Sequence, residues 1–469
     1  MSLVFTRASL LILCALLSAF VHAEGSTGAT GGDQPIDNLQ PSVGLNFFMQ
    51  RTGNFPSRDP GFATEQTLGA VRMFAGTFVP ADAEAHGQLL SIAQNAAMFS
   101  LVGTSFGGNG QTDFALPNLD GRVVVHAGSG AWQLGQTGGN SNEVLTVAQL
   151  PAHTHSEPSA SGMTGVSGGS QPFSNLQPSL AMQYVIATQA AVATPTVGAG
   201  GAPFVGQISL FASTFAPAGW ALADGQTLAL AGNQDLFEVI GTTYGGDGQT
   251  TFQLPDLRGR TAVGVGSANG GTPWALGQAG GSDELTLTTA QMPAHDHALA
   301  PPNTLTGLTG GGQPVSNDQS GLGLNYIVAT QGLFPPRDPG NLSGDVYLGE
   351  VSLFAGNYAP RGWAIADGHA LSINQNQALF SLLGTSYGGN GITNFQLPDL
   401  RGRIAVGAGA QFALGEVIGD DILALGVAQL PSHVHASSTV PLPAAIWFFG
   451  SAFLAMSAHC RHLRRETAT

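Results

Sequence analysis

Six histidines fall in three Pro-x-His-x-His motifs: Pro151-Ala-His153-Thr-His155, Pro293-Ala-His295-Asp-His297 and Pro431-Ser-His433-Val-His435. On an extended strand, residues i and i+2 point to one face, so each motif offers two imidazoles side by side. Imidazole is a common metal ligand, but two are too few for a stable site. Gathered on a common axis, His153, His155, His295, His297, His433 and His435 would supply six nitrogens and a closed octahedral shell. Six nitrogens suit Fe(II) or Ni(II) better than tetrahedral Zn(II), and the role would be structural, because a closed shell leaves no position for substrate. The other reading is that each pair hydrogen-bonds backbone beside its proline and holds nothing.

A metal-dependent hydrolase on these pairs would need an open coordination position and a nearby general base. The intervening residue is Thr154, Asp296 or Val434, so no base is common to the copies. Asp256 with Arg258 and Arg260, and Asp399 with Arg401 and Arg403, could grip a sugar acid or phosphate. Such turns more often pair their own charges to fix the loop. The Gly-rich stretches at Tyr244 and Tyr387 are followed by no Lys and framed by no dinucleotide-binding pattern, which argues against a phosphate cradle. His-Glu-x-x-His is absent, and the expectation is a protein that is not an enzyme.

The elements that must position the histidines recur three times. GTSFGGNGQTDFALPNLDGR from Gly103, GTTYGGDGQTTFQLPDLRGR from Gly241 and GTSYGGNGITNFQLPDLRGR from Gly384 begin 241 − 103 = 138 and 384 − 241 = 143 residues apart. Each block opens with an alternating strand, such as Gln207–Phe211 or Glu350–Phe354. Trp363-Ala-Ile-Ala-Asp367-Gly368 reads as a strand entering a hairpin turn. Ser372 to Gln375 has capping-box spacing, and Ala378, Leu379, Leu382 and Leu383 form one helical face stopped by Gly384. The first block lacks the Trp found at 220 and 363, which predicts a thinner core there. The fold class is therefore mainly β with short helices, in three domains at 69–190, 206–338 and 349–436.

A second phrase, Gln34-Pro-Ile-Asp-Asn-Leu-Gln-Pro to Asp59, returns from Gln171 and from Gln313, but not after the third block. Residues 24–68 thus read as a Gly/Thr-rich linker, Glu24–Asp33, followed by a detached copy. Packed on the third block, that copy would close a single-chain pseudo-trimer with no open edge. Beads on a string is the competing arrangement.

The 14 basic residues are all Arg against 29 acidic ones, a net charge of −15, which disfavours nucleic acid or any other polyanion as a partner. Residues 1–23 read as an export signal, with an apolar run Ala8 to Val21 and a small-residue end at Ala23. Residues 440–465 join an apolar stretch, Ala444 to Ala458, to a basic tail, and read as a membrane anchor or a sorting signal. Both cysteines, Cys14 and Cys460, lie in these end segments, so a processed chain would have no disulfide.

FAGNYAPRGWAIADG, SINQNQALFSLLGTSYGGNG, NFQLPDLRGR and the closing QLPSHVH together resemble the phage tail-collar domain as found in microcystin-dependent-protein-like sequences. The resemblance covers most of the chain. It implies a tail-fibre or surface-binding module with no defined enzymatic activity, and a surface glycan or exopolysaccharide as partner, with exposed Trp and Tyr as sugar platforms. Short tail fibres that share the collar are trimers with a metal on the threefold axis held by His-x-His pairs. VPLPAAIWFFGSAFL with its basic tail resembles the VPLPA variant of PEP-CTERM sorting signals. That implies an exosortase-type processing protease, transient or permanent attachment to the membrane through this segment, and residence at the bacterial surface or outside the cell.

Overall fold

The computed structural model describes residues 25–57, 67–78, 84–128, 130, 132–157, 163–196, 203–267, 273–299, 304–336 and 346–437. The expected export signal at 1–23 and the C-terminal segment at 440–465 lie outside these residues. Among the described residues, no helix is long and apolar enough to cross a membrane.

The fold is mainly β, with three seven-residue α-helices among the described residues, Ala96–Val102, Gln234–Ile240 and Gln377–Leu383. The strands are arranged with pseudo-threefold symmetry. Three opening strands, Ala70–Phe74, Gln207–Phe211 and Glu350–Phe354, pair with one another antiparallel in a closed triangle. Each also pairs antiparallel with the long strand before it, Ser42–Met49, Ser179–Ala187 or Gly321–Ala329. The long strands are buried almost throughout, because each has a neighbour on both edges and core on both faces.

Each long strand joins two blocks. Ser179–Ala187 runs parallel to Val123–His126 of the block before it and antiparallel to Gln207–Phe211 of the block after it. Gly321–Ala329 does the same with Thr261–Gly264 and Glu350–Phe354. The N-terminal long strand Ser42–Met49 pairs in parallel with Ile404–Gly407 of the third block, in the register Ile404↔Ser42, and antiparallel with Ala70–Phe74. The detached phrase therefore supplies what the third block lacks and closes the ring as a single-chain pseudo-trimer. Separate beads are excluded by these pairings.

Along the chain toward the histidines, the copies meet in layers. Gln40, Gln177 and Gln319 are buried together, with the Gln40 and Gln177 N–H groups donating to Oε1 of Gln177 and Gln319, both at 3.3 Å. An apolar layer of Ile36, Phe173, Val315, Leu145, Leu287 and Leu425 comes next in sequence, then the triad Leu150, Met292 and Leu430. Close approach of copies explains two glycines: a Cβ on Gly264 would sit 1.7 Å from the Leu400 oxygen, and one on Gly407 1.8 Å from that of Leu119.

Several local expectations need correction. Ser372 makes no side-chain cap; Ile373–Gln375 is a 3-10 turn, and the helix begins after Asn376. Ala378 is exposed, leaving Leu379, Leu382 and Leu383 as the buried face. Gly368 has the expected positive φ of 74°, yet Trp363–Ile365 and Ala370–Ser372 do not form a hairpin. They pair instead with Ile327–Ala329 and Asn394–Gln396, since burying the Trp363 strand against the long strand removes more apolar surface from water. In the first block, the bridge Phe48↔Glu84 stands where the other copies pair the end of the Trp strand with the long strand, and residues 79–83 lie outside the described residues. Residues 25–33, expected as a linker, are hydrogen-bonded along the third histidine motif.

Candidate metal centre

Each histidine motif follows a short turn, of 3-10 form in the first and third copies, and a buried apolar residue, Leu150, Met292 or Leu430, which packs on its two counterparts. That packing brings the three Pro-x-His-x-His segments together at one end of the axis. The six imidazoles are buried, at 0–5% exposure, while Val434 between one pair is 47% exposed. The alternation is that of an extended strand, as the spacing predicted.

All six sequence-nominated histidines form one cluster. Ring centroids of neighbouring imidazoles lie 4.7–5.4 Å apart. Three pairs fall outside that close set: His153 with His297, His155 with His433, and His295 with His435. A set of six points in which each neighbours four others and opposes one is an octahedron. The faces are His153, His295, His433 and, rotated against them, His155, His297, His435. Every opposing pair comes from two different copies, so an ion at the centre would tie each copy to both others.

The tautomer of every ring is set by backbone. Nδ1 of His153, His295 and His433 lies 2.9, 3.0 and 2.9 Å from the carbonyl oxygens of Pro151, Pro293 and Pro431. Nδ1 of His155, His297 and His435 lies 2.8 Å from the oxygens of Gly307, Gly28 and Gly165, each on another segment. A carbonyl only accepts, so Nδ1 carries the proton and Nε2 presents a lone pair. Nε2 of His155, His297 and His435 is buried without a partner. Nε2 of His433 stands 3.2 Å from that of His295 and 3.3 Å from that of His153, where two lone pairs repel instead of bonding.

Six converging lone pairs, each ring held from behind by a backbone carbonyl, make a donor set suited to a transition metal. In an octahedron the adjacent N···N distance is √2 times the metal–nitrogen distance, so these edges correspond to about 2.3 Å, longer than the roughly 2.0–2.1 Å of tetrahedral zinc. The potential ligand atoms of two His quartets in the cluster all lie within 4.8 Å of one another, and no carboxylate is among them. The cluster could hold a metal ion. Burial lowers the pKa of His153, His155 and His297 to about 4 and pushes His295 and His435 below the usual range, which keeps the rings neutral and competent as ligands.

The other sequence-nominated group serves its own turn. Arg258 holds Asp256 in a bidentate pair at 2.9 and 2.8 Å, and Arg401 holds Asp399 at 2.9 and 3.0 Å. Arg260 and Arg403 each donate to the backbone oxygen of that aspartate, at 3.0 and 2.9 Å. As for sugar platforms, Trp132 and Trp274 are buried and Trp220 and Trp363 half-buried.

Sequence reasoning missed His126, which stands where the other copies have Gly264 and Gly407. Its Nδ1 accepts the Tyr184 N–H at 2.8 Å, and burial pushes its pKa down to about 4. The signal was available as a histidine at a glycine position of the repeat. Since the folded pKa lies below the ordinary 6.5, the folded state binds the proton less readily than the unfolded chain. The group's contribution is complete above about pH 6.5 and is lost as pH falls toward 4, by about 3 kcal/mol in total. Denaturant titrations at pH 7 and 4 should show the gap between wild type and His126→Asn narrowing by that order; an unchanged gap means that His126 titrates normally.

No match is found among curated proteins or among solved structures. Three segments of the chain, 69–124, 206–262 and 349–405, one in each block, are each similar to the Phage Tail Collar Domain.

Proposed function

We propose that this chain is an exported structural module of the bacterial surface, a tail-fibre-like pseudo-trimer in one polypeptide, locked at one end by a transition metal on six histidines. The observation that carries it is the convergence of six Nε2 lone pairs, each ring held by a backbone carbonyl. When bound, the metal would supply a cross-link between copies. The chain's own residues orient the rings, keep them neutral and exclude water. Six nitrogens favour Fe(II) or Ni(II) over Zn(II). The closed ligand set supports assembly and not catalysis; the hydrolase alternative would need an open position that this set does not offer. Cell-surface polysaccharide is the partner class this reading carries forward, with export and C-terminal processing by an exosortase-type protease as its route.

Elemental analysis of protein purified without a His tag should find about one Fe or Ni per chain, and chelation should lower the unfolding midpoint. Protein that takes up no metal from Fe(II), Ni(II) or Zn(II) in excess would leave the cluster as an apolar-like packing of neutral rings and overturn the lock.

A further inference from the structure

The three histidine hairpins are built alike, except that one is cut. In the first, His153 and Ser167 exchange backbone hydrogen bonds at 2.9 and 3.0 Å, the Thr164 N–H donates to the His155 oxygen at 2.8 Å, and Thr164 Oγ1 accepts the His155 N–H at 2.9 Å. The second repeats this with His295 and Thr309, both bonds at 3.0 Å, and with Thr306 on His297 at 2.9 and 3.0 Å. In the third, the return strand is the N-terminal segment. Thr30 and His433 exchange bonds at 3.1 and 3.0 Å, the Thr27 N–H donates to the His435 oxygen at 2.8 Å, and Thr27 Oγ1 accepts the His435 N–H at 2.9 Å. The pairing extends outward as Ser26↔Ala436 and Gly25↔Ser437.

The segment also reaches the second copy. The Gly28 oxygen accepts from His297 Nδ1 at 2.8 Å, the Gly28 N–H donates to the Ala298 oxygen at 2.7 Å, and Thr30 Oγ1 donates to the Asp296 oxygen at 2.7 Å. Gly307 and Gly165 hold His155 and His435 in the same way. One of the six rings is thus oriented by a residue 269 positions away, and two more, His433 and His435, rest on a strand that shares no local chain with them. Gly and Thr suit that strand. A Cβ on Gly32 would lie 2.8 Å from the Ala428 oxygen, and the threonines provide the hydroxyls that the ring backbone uses.

We infer that Gly25–Gly32 and Pro431–Ser437 form a split metal-binding hairpin, so that loading the six-histidine centre clasps the N-terminal segment to the third block. Thr27, Gly28 and Thr30 are positioning residues: they touch no metal, but Gly28 fixes the His297 ring, and Thr27 and Thr30 fix the backbone that carries the rings of His435 and His433. The inference rests on the metal reading above. It also goes further, because the lock then needs both Gly25–Gly32 and Pro431–Ser437 and is completed only when these segments meet.

The test is Ni(II) titration of the full chain, of the full chain lacking residues 25–32, and of Thr27→Val and Thr27→Ser, with amide hydrogen exchange at residues 431–437 as a readout that needs no metal. The deletion should lose at least about tenfold in Ni(II) affinity, with a synthetic peptide of residues 24–35 restoring it in trans. Thr27→Val, which keeps the shape but loses the acceptor for the His435 N–H, should weaken loading, and Thr27→Ser should recover it. Exchange at His433 and His435 should accelerate in the deletion. Equal Ni(II) affinity with and without residues 25–32 would overturn the clasp. If the full chain itself binds no Ni(II), Fe(II) or Zn(II), the metal reading fails; the pairing of the two segments is then judged by exchange alone, where unchanged protection in the deletion overturns it and accelerated exchange supports it.

Discussion

Replacing His433 and His435 together with alanine should abolish stable metal loading and bring the unfolding midpoint of the metal-treated protein down to that of the chelated wild type. The pair supplies one third of the ligand set, and its removal leaves the four nitrogens of His153, His155, His295 and His297, two from each remaining copy. An ion held by four imidazoles can no longer tie the third copy to the others, so its cross-linking effect goes even where some binding survives. A ligand present at a thousand times its dissociation constant stabilises the folded state by about 4 kcal/mol, which sets the scale of the midpoint difference to look for. The measurement is a pair of thermal scans, with Ni(II) and with chelator, on wild type and variant. A wild type that melts identically in both, or a variant that keeps the full metal-dependent shift, contradicts the lock. The single variant His433→Ala is the sharper probe of geometry. It removes the ring whose Nε2 stands 3.2 Å from that of His295 and 3.3 Å from that of His153 and opens one position, so the metal should stay but become exchangeable with water or added imidazole.

The histidine cluster was legible because its spacing is local: two imidazoles two residues apart on a strand must share a face, and a threefold repeat implies one axis. Ring closure was legible as one of two arrangements, since a phrase absent after the third block and present before the first could be completed by packing on that block. The role of Gly25–Gly32 was not. That strand carries no apolar alternation, because its pairing is fixed by backbone bonds to His433 and His435 and not by burial of its own side chains. The capping-box spacing at Ser372 misled for a related reason. A local pattern was satisfied on paper, while Asn376, four residues on, donates to the Ser372 oxygen and starts the helix in its place. The opening strands hid most, because the meaning of their residues depends on which ones face each other around the axis.

That last point carries the second large effect. Aligned by repeat, the first residues of the opening strands are Ala70, Gln207 and Glu350, and the third residues are Arg72, Ser209 and Ser352. Where the rest of the ring repeats, these positions differ. Arg72 and Glu350 are 6% and 3% exposed and bonded to each other, with Arg72 Nε 2.8 Å from Glu350 Oε1 and a second contact between Nη2 and Oε2. The Tyr347 N–H donates to Glu350 at 3.1 Å, and the guanidinium lies over the Phe48 and Tyr347 rings. In the second copy, Gln207 donates to Ser352 at 3.2 Å. The ion pair therefore crosses the seam between the first and last blocks, where the chain closes on itself. A ring made from three copies of the first block would bury three arginines, and one made from the third block three glutamates. Either is costly, so the charges favour rings that hold one of each block over rings in which blocks from different chains meet their own kind. Glu350→Gln keeps the shape but strips the charge from one side of a buried pair, and should cost about 3–5 kcal/mol. Arg72→Met with Glu350→Gln removes both charges and should recover most of that loss, because a desolvated pair replaced by groups of similar volume is often close to neutral. Denaturant unfolding of the three proteins measures the cycle, and light scattering during refolding reads out closure. The double variant should refold at wild-type stability yet form more intermolecular species than the parent. If Glu350→Gln unfolds at the wild-type midpoint, the pair contributes nothing to the seam. If the double variant refolds as cleanly monomeric as the parent, covalent linkage of the blocks alone selects the closed ring.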